Sequence, residues 1–196
     1  MNNTSKQAEI VRQIEESITL HGRLQEQIPL LATIADQLIQ AFQRGNKVFL
    51  FGNGGSAADA QHIACELAGK FYCDRDSLPA MALTTNTSSL TAIANDYGYE
   101  EIFARQVKGL VREGDVVIGI STSGHSPNVL RGIEEAKRRG ATTIAFTGQG
   151  GKLEELADYV LSIPSNDTPR IQEAHITAGH IICYLVEQAL FGNKSE

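Results

Sequence analysis

Apolar residues recur at helical spacing from the start of the chain. Ile10, Ile14, Ile18, Leu24 and Ile28 form a stripe, with Glu9, Arg12, Glu15, Glu16 and Arg23 on the other face. That pattern predicts an amphipathic helix of roughly two dozen residues. Leu30, Leu31, Ile34, Leu38 and Phe42 form a second stripe after Pro29, and Gly45-Asn46 supplies its stop. Such a helical arm either covers one face of a sheet or packs against a copy of itself. Beyond it the period changes, and short β-branched and aromatic runs alternate with helical stretches. Strands are expected at 48–51, 78–84, 114–120, 142–147 and 159–163. Helices are expected after the glycines at 52–55 and at 88–95, 100–111, 127–139, 152–156 and about 169–190, with loops at 71–77, 96–99 and 148–151. The continuous run at 114–120 is typical of strands buried on both faces of a parallel sheet. Strands and helices alternating at this spacing predict an α/β fold. It is a doubly wound, parallel, five-stranded sheet flanked by helices, with two leading N-terminal helices. A single domain spans 1–196, and the arm at 1–45 belongs to it.

Composition narrows the class. The chain has 196 residues, 42% apolar and 20% charged, ordinary for a globular protein with one sizeable core. Its net charge of −6 argues against nucleic acid as a partner, because phosphate backbones are bound by basic surfaces. Cys65, Cys73 and Cys183 are odd in number and widely spaced, so no disulfide framework is expected. No apolar run approaches the length of a membrane span, and the first residues are polar. A cytoplasmic protein is expected.

The chemistry gathers in two glycine- and serine-rich loops. The run Val48-Phe49-Leu50-Phe51 breaks at Gly52-Asn53-Gly54-Gly55-Ser56 and resumes as a helix. This layout offers backbone N–H groups at a helix N-terminus to an anion, with Ser56 as the expected N-cap. It is neither the Gly-x-Gly-x-x-Gly dinucleotide fingerprint nor a P-loop. His62 and Glu66 follow four apart, on one face of that helix. A phosphorylated substrate held beside a proton-transfer or metal site is one reading, a solvated helix face the other. The strand ending at Ile120 runs into Ser121-Thr122-Ser123-Gly124-His125-Ser126-Pro127, four hydroxyls directly before a helix. Ser126 and Pro127 suit its N-cap and first position, and a phosphate fits there without a lysine.

Gly52-Asn53-Gly54-Gly55-Ser56 followed by Ser121-Thr122-Ser123-Gly124-x-Ser126 resembles the sugar isomerase (SIS) family of phosphosugar-binding domains. Within it, Asp59-Ala60-x-His62-x-Ala64-x-Glu66-Leu67, then Asn95-Asp96, then Arg170-Ile171-Gln172-Glu173-x-His175-x4-His180, looks like the phosphoheptose isomerases. That resemblance implies conversion of sedoheptulose 7-phosphate to D-glycero-D-manno-heptose 7-phosphate, the first step toward activated heptose for bacterial surface polysaccharide. It implies a homotetramer with shared active sites. It implies phosphate held by Ser121, Thr122, Ser123 and Ser126, and sugar contacts from Asn53, Gly54, Gly55, Ser56, Glu66, Asn95, Asp96 and Gln172. Glu66 and His180 would be the acid/base pair, and His62, Glu66, Gln172 and His180 the ligands of a zinc ion. A non-catalytic SIS protein of the replication-initiator-associating type, and an SIS enzyme of another sugar phosphate, are the alternatives.

Two points of geometry stay open. Gln172 and His180 are eight residues apart, ~12 Å along a continuous helix. Either Gln172 lies at or before the helix start, where Thr168-Pro169 looks like an N-cap and first position, or the two come from different subunits. Many phosphoheptose isomerases carry Ala-Asp before Arg-Ile-Gln-Glu, whereas Thr168-Pro169 stands here, and Asp167 either substitutes or the acid is dispensable. His175 reads as a packing or interface residue, Cys65 as core, His21 as a solvated helix residue.

Overall fold

Five strands lie parallel in the order β2-β1-β3-β4-β5, in a computed structural model that describes residues 3–192. They are β1 (Val48–Gly52), β2 (Ala80–Ala82), β3 (Val116–Ser121), β4 (Thr142–Gly148) and β5 (Tyr159–Ile163). The helices are α1 (Asn3–Arg23), α2 (Ile28–Gln43), α3 (Gly55–Ala68), α4 (Thr87–Tyr97), α5 (Ile102–Leu110), α6 (Pro127–Arg138), α7 (Leu153–Leu156) and α8 (Thr168–Phe191). Val48 pairs with Ala80 on one side and Val116 on the other, and Val116 pairs with Thr142. The period-2 alternation of each strand feeds two cores. Leu50, Ile118, Ile120, Ile144, Phe146 and Leu161 face α2, α3 and α8. Phe49, Phe51, Val117 and Ala145 face α5, α6 and α7.

In a sheet of this order, ligands bind outside the carboxyl ends of β1 and β3, where the winding reverses. The two loops singled out above follow those two strands. Gly52 is required there: a Cβ on it would stand 2.7 Å from the Ile120 carbonyl and 2.8 Å from the Ser56 Cβ.

Several boundaries differ from the sequence reading, each for a local reason. Gly54, at φ +56°, is the N-cap of α3, so the helix starts at Gly55 and Ser56 is buried at its second position rather than capping it. Asn86 caps α4 by accepting from the Ser89 amide, and Gly98 at φ +94° ends it, so the helix extends past Asn95, and Asp96 sits on its last turn and not in a loop. β2 shrinks to three residues at the sheet edge, where Met81 is exposed. The arm's apolar stripe breaks at the short 3-10 turn Leu24–Gln27 and does not cover the sheet: Leu20 and Leu24 are buried, but Ile10, Ile14 and Ile18 on α1 and Ile28 at the start of α2 are exposed. His21 is not simply solvated, since its Nε2 lies 3.0 Å from the Thr177 hydroxyl and docks α1 on α8.

α3 and α8 run side by side in the same direction, both leaving the carboxyl edge of the sheet. They pack tightly at Gly179, where a Cβ would stand 2.6 Å from Cδ1 and 2.7 Å from Cγ1 of Ile63. Ile63 is itself fully packed. Gly179→Ala is therefore expected to overpack this seam and cost on the order of 1–3 kcal/mol, seen as a lower urea midpoint at unchanged m-value. A midpoint equal to that of the parent protein would mean that the seam is not tight.

Candidate active site

The first loop is held by side chains from outside it. Asn53 and Asn128 exchange two amide hydrogen bonds: Asn53 Nδ2 donates to Asn128 Oδ1 at 2.8 Å, and Asn128 Nδ2 donates to Asn53 Oδ1 at 2.9 Å. The Tyr99 hydroxyl also donates to Asn53 Oδ1, at 3.1 Å. Asn128 is buried in the first turn of α6, so this pair ties the loop after β1 to the loop after β3. Sequence reasoning missed both partners. A signal for Asn128 existed: it is the polar member of the stripe Asn128, Val129, Gly132, Ile133, Ala136. Tyr99 carried none.

In the second loop, Gly124 adopts φ +65° and turns three hydroxyls toward one another. Ser121 Oγ lies 3.0 Å from Ser126 Oγ and 3.4 Å from Ser123 Oγ. Ser126 is the N-cap of α6 as expected, with Pro127 in the first turn, but its hydroxyl meets Ser121 instead of a helix amide. Thr122 is half-buried, and Ser123 and His125 are exposed. A ring of hydroxyls at a helix N-terminus suits an oxyanion.

The α3–α8 seam brings the third group together. His62 Nε2 lies 3.2 Å from Glu66 Oε1, the i, i+4 pair of α3, and 3.1 Å from His180 Nε2 on α8. The two imidazole rings meet edge to face at 4.9 Å, and the Phe71 ring flanks His180 at 5.8 Å. Two imidazole nitrogens this close share either a proton or a cation. The donor set of two imidazoles and one carboxylate is that of many zinc sites. All three ligand atoms lie within 4.8 Å of one another. Ligand arms of about 2.1 Å around a tetrahedral ion give edges of about 3.4 Å, near the separations seen here. His62, Glu66 and His180 therefore fit zinc, with room for a further ligand.

Gln172 is not among them. α8 is continuous from Thr168, with Asp167 as N-cap and Pro169 in its first turn, so Gln172 lies inside the helix and neither at nor before its start. A rise of 1.5 Å per residue separates it from His180 by ~12 Å. Its amide lies against Gly55, where a Cβ would collide with it. Within one chain Gln172 thus faces the glycine loop and is not a fourth ligand of the cluster, which leaves a second subunit for any joint role. Ser56 is buried in the first turn of α3. Asn95 and Asp96 are exposed and bond to each other at 2.8 Å, and Tyr99 links their segment to Asn53. Cys65 is exposed, not core, because it sits on the outer side of α3, off the Ala60-Ile63-Ala64-Leu67 stripe. His175 is a packing residue, buried with Nε2 3.3 Å from the Thr147 carbonyl; burial lowers its pKa to about 4 despite that bond. Asp167 is exposed.

Asp59 is the acid the sequence reading left without a role. It lies one turn before His62, between the glycine loop and the His/Glu pair, and its Oδ2 is buried with no hydrogen-bond partner. Burial pushes its carboxyl up to about 6, only partly opposed by His62. The folded state then binds more protons than the unfolded chain between about pH 4 and 6. Stability from this group is present at low pH and lost as pH rises through that window. His175, held at about 4, contributes a slope of the opposite sign over the same range, so Asp59→Asn is expected to make the urea midpoint of metal-free protein rise more steeply with pH there. An unchanged slope would mean that Asp59 has found a partner.

Known proteins resemble this chain in sequence and fold. The SIS domain family model matches residues 11–148. A phosphoheptose isomerase of Aneurinibacillus thermoaerophilus is 54% identical over 171 residues, 87% of this chain and 86% of that one. The structure of a phosphoheptose isomerase from Neisseria gonorrhoeae superposes with a TM-score of 0.88 at 40% identity, over 93% of this chain and 98% of that one. One from Francisella tularensis gives 0.90 at 36%, over 96% and 100%. The glycine and serine loops after β1 and β3, the His62-Glu66-His180 cluster and these likenesses lead to one conclusion: the chain belongs to the SIS domain family, on its phosphoheptose isomerase branch.

Proposed function

We propose that this chain is an aldose–ketose isomerase that converts sedoheptulose 7-phosphate to D-glycero-D-manno-heptose 7-phosphate, the first step of ADP-heptose and lipopolysaccharide core synthesis. The observation that carries the reading is the meeting of a carboxylate and an imidazole, Glu66 and His180, across α3 and α8, two helices that start at the carboxyl edge of the sheet where the glycine and serine loops lie. Names of relatives at 50% identity and above support the substrate.

The reaction moves one proton between neighbouring carbons. Glu66 takes a proton from C1 of the ketose while His180 gives one to the C2 oxygen, leaving an enediol. Glu66 returns a proton to C2, and O1–H gives its proton back to His180 as the aldehyde forms, so both side chains end as they began. Base and acid must reach both carbons and both oxygens without moving far. Ser121, Thr122, Ser123 and Ser126 hold the phosphate. Asn53, Gly54, Gly55, Asn95, Asp96 and Gln172 hold the sugar. Zinc, where bound, would be held by His62, Glu66 and His180 and would polarise the substrate's carbonyl; that role competes with the acid/base one, because a carboxylate on the ion is a poorer base and a ligating imidazole nitrogen carries no proton.

The working form is a homotetramer with shared sites, acting in the cytoplasm on a small sugar phosphate. Supporting this, Ile10, Ile14, Ile18 and Ile28 on the arm and Ile181 and Tyr184 on α8 are exposed apolar surface. All three cysteines are free thiols, and among the described residues no helix is long and apolar enough to cross a membrane. Retention of Glu66 beside His180 favours catalysis over a purely binding role.

Glu66→Gln keeps the shape and removes the base. It is expected to lower kcat by a factor on the order of 10²–10⁴, while calorimetry shows sedoheptulose 7-phosphate bound within a few-fold of the parent affinity. Turnover surviving within about tenfold, ~1.4 kcal/mol of barrier, would remove Glu66 from the base role.

A further inference from the structure

Below the His/Glu cluster lies an ion pair with no place in the reaction. Glu187 of α8 and the side chain of Arg75 are 0% and 2% exposed, with Arg75 Nε donating to Glu187 Oε2 at 2.8 Å. A buried pair of this kind is rarely more stabilising than apolar side chains of the same volume. Its hydrogen bonds show a more specific use.

The carboxylate of Glu187 accepts from three successive backbone amides, Phe71 at 3.0 Å, Tyr72 at 2.7 Å and Cys73 at 2.9 Å. Burial alone would raise this carboxyl; the Cys73, Tyr72 and Phe71 amides and the Arg75 guanidinium outweigh it and hold it at about 2. The guanidinium donates to the carbonyl of Glu66 at 2.9 Å, of Leu67 at 3.0 Å and of Asp76 at 3.0 Å. Glu66 and Leu67 lie in the last turn of α3, where carbonyls lack intrahelical partners and the chain frays unless capped. The Phe191 ring lies 5.3 Å from the guanidinium carbon and closes the site from outside.

Each half of the pair therefore supports one of the two proton-transfer residues. Arg75 grips the peptide of Glu66 itself. Glu187, two turns past His180 on α8, clamps the loop whose Phe71 ring flanks the His180 imidazole. We propose that the buried Arg75–Glu187 pair is a positioning device that fixes Glu66 and His180 relative to each other, acting on turnover and not on substrate affinity. This rests on the isomerase reading of those two residues. A displacement of about 1 Å in a reacting group can cost 10²-fold in rate, and the phosphate loop at Ser121–Ser126 makes no contact with the pair.

The test is steady-state kinetics of Glu187→Gln and Arg75→Lys on sedoheptulose 7-phosphate, well below each protein's unfolding midpoint and with circular dichroism confirming the fold. Both are expected to lower kcat 10- to 100-fold with KM changed by less than about threefold. Ile133→Val, in the core on the opposite face of the sheet, is the control: it should lower the midpoint yet keep the parent kcat. Arg75→Lys keeps the buried charges balanced and remains informative if Glu187→Gln does not fold. Parent kcat in Arg75→Lys, a loss confined to KM, or an equal kcat loss in Ile133→Val would overturn the proposal. Absence of turnover in the parent protein would overturn the isomerase reading instead.

Discussion

The contact between Gly179 and Ile63 sets the distance between α3 and α8, and the site depends on that distance. A methyl group at Gly179 would stand 2.6 Å from Ile63 Cδ1. Because the helix axes approach closely here, side chains one position along each helix, His62 and His180, meet across the seam at 3.1 Å. Glu66 joins them by the helical repeat alone. A wider seam would leave a His/Glu pair on one helix and a lone histidine on the other. The Arg75–Glu187 pair closes the same seam at its far end, tying the last turn of α3, the 70–76 loop and α8 into one unit.

Sheet topology supplies the other half of the arrangement. The order β2-β1-β3-β4-β5 puts the ends of β1 and β3 side by side, so the glycine loop and the serine loop face one crevice. The reciprocal Asn53–Asn128 amide pair holds the two loops in register. Gln172, lying over Gly55 on α8, connects this anion end to the proton-transfer end along a single helix. The two ends lie ~12 Å apart along that helix.

How much of this the sequence discloses depends on the range of the interaction. The strand Tyr159–Ile163 and the core runs of β3 and β4 stand out as apolar blocks, and the glycine and serine loops as breaks between strand and helix periods. The His62/Glu66 pair is legible because four residues is one turn. What joins elements is not legible. Arg75 and Glu187 are 112 residues apart and read separately as surface charges. Gly179 reads as a weak helix residue until Ile63 is seen against it. Tyr99 has no local reason to reach Asn53. Cys65 reads as core from the sequence, but the buried stripe runs through Ile63 and Leu67 instead. The arm's exposed isoleucines obey helical spacing yet face away from the chain's own core.

The central claim is that Glu66 and His180 pass a proton between adjacent carbons of a phosphorylated ketose. Proton NMR of the purified protein with sedoheptulose 7-phosphate in D2O tests it most directly. The account predicts the aldose signal, with solvent deuterium at its C2, because the enediol's proton comes from a base that exchanges with water. Conversion with no deuterium at C2 would mean a hydride shift and contradict the proton-transfer role. No conversion of this or any shorter ketose phosphate would contradict the isomerase account itself.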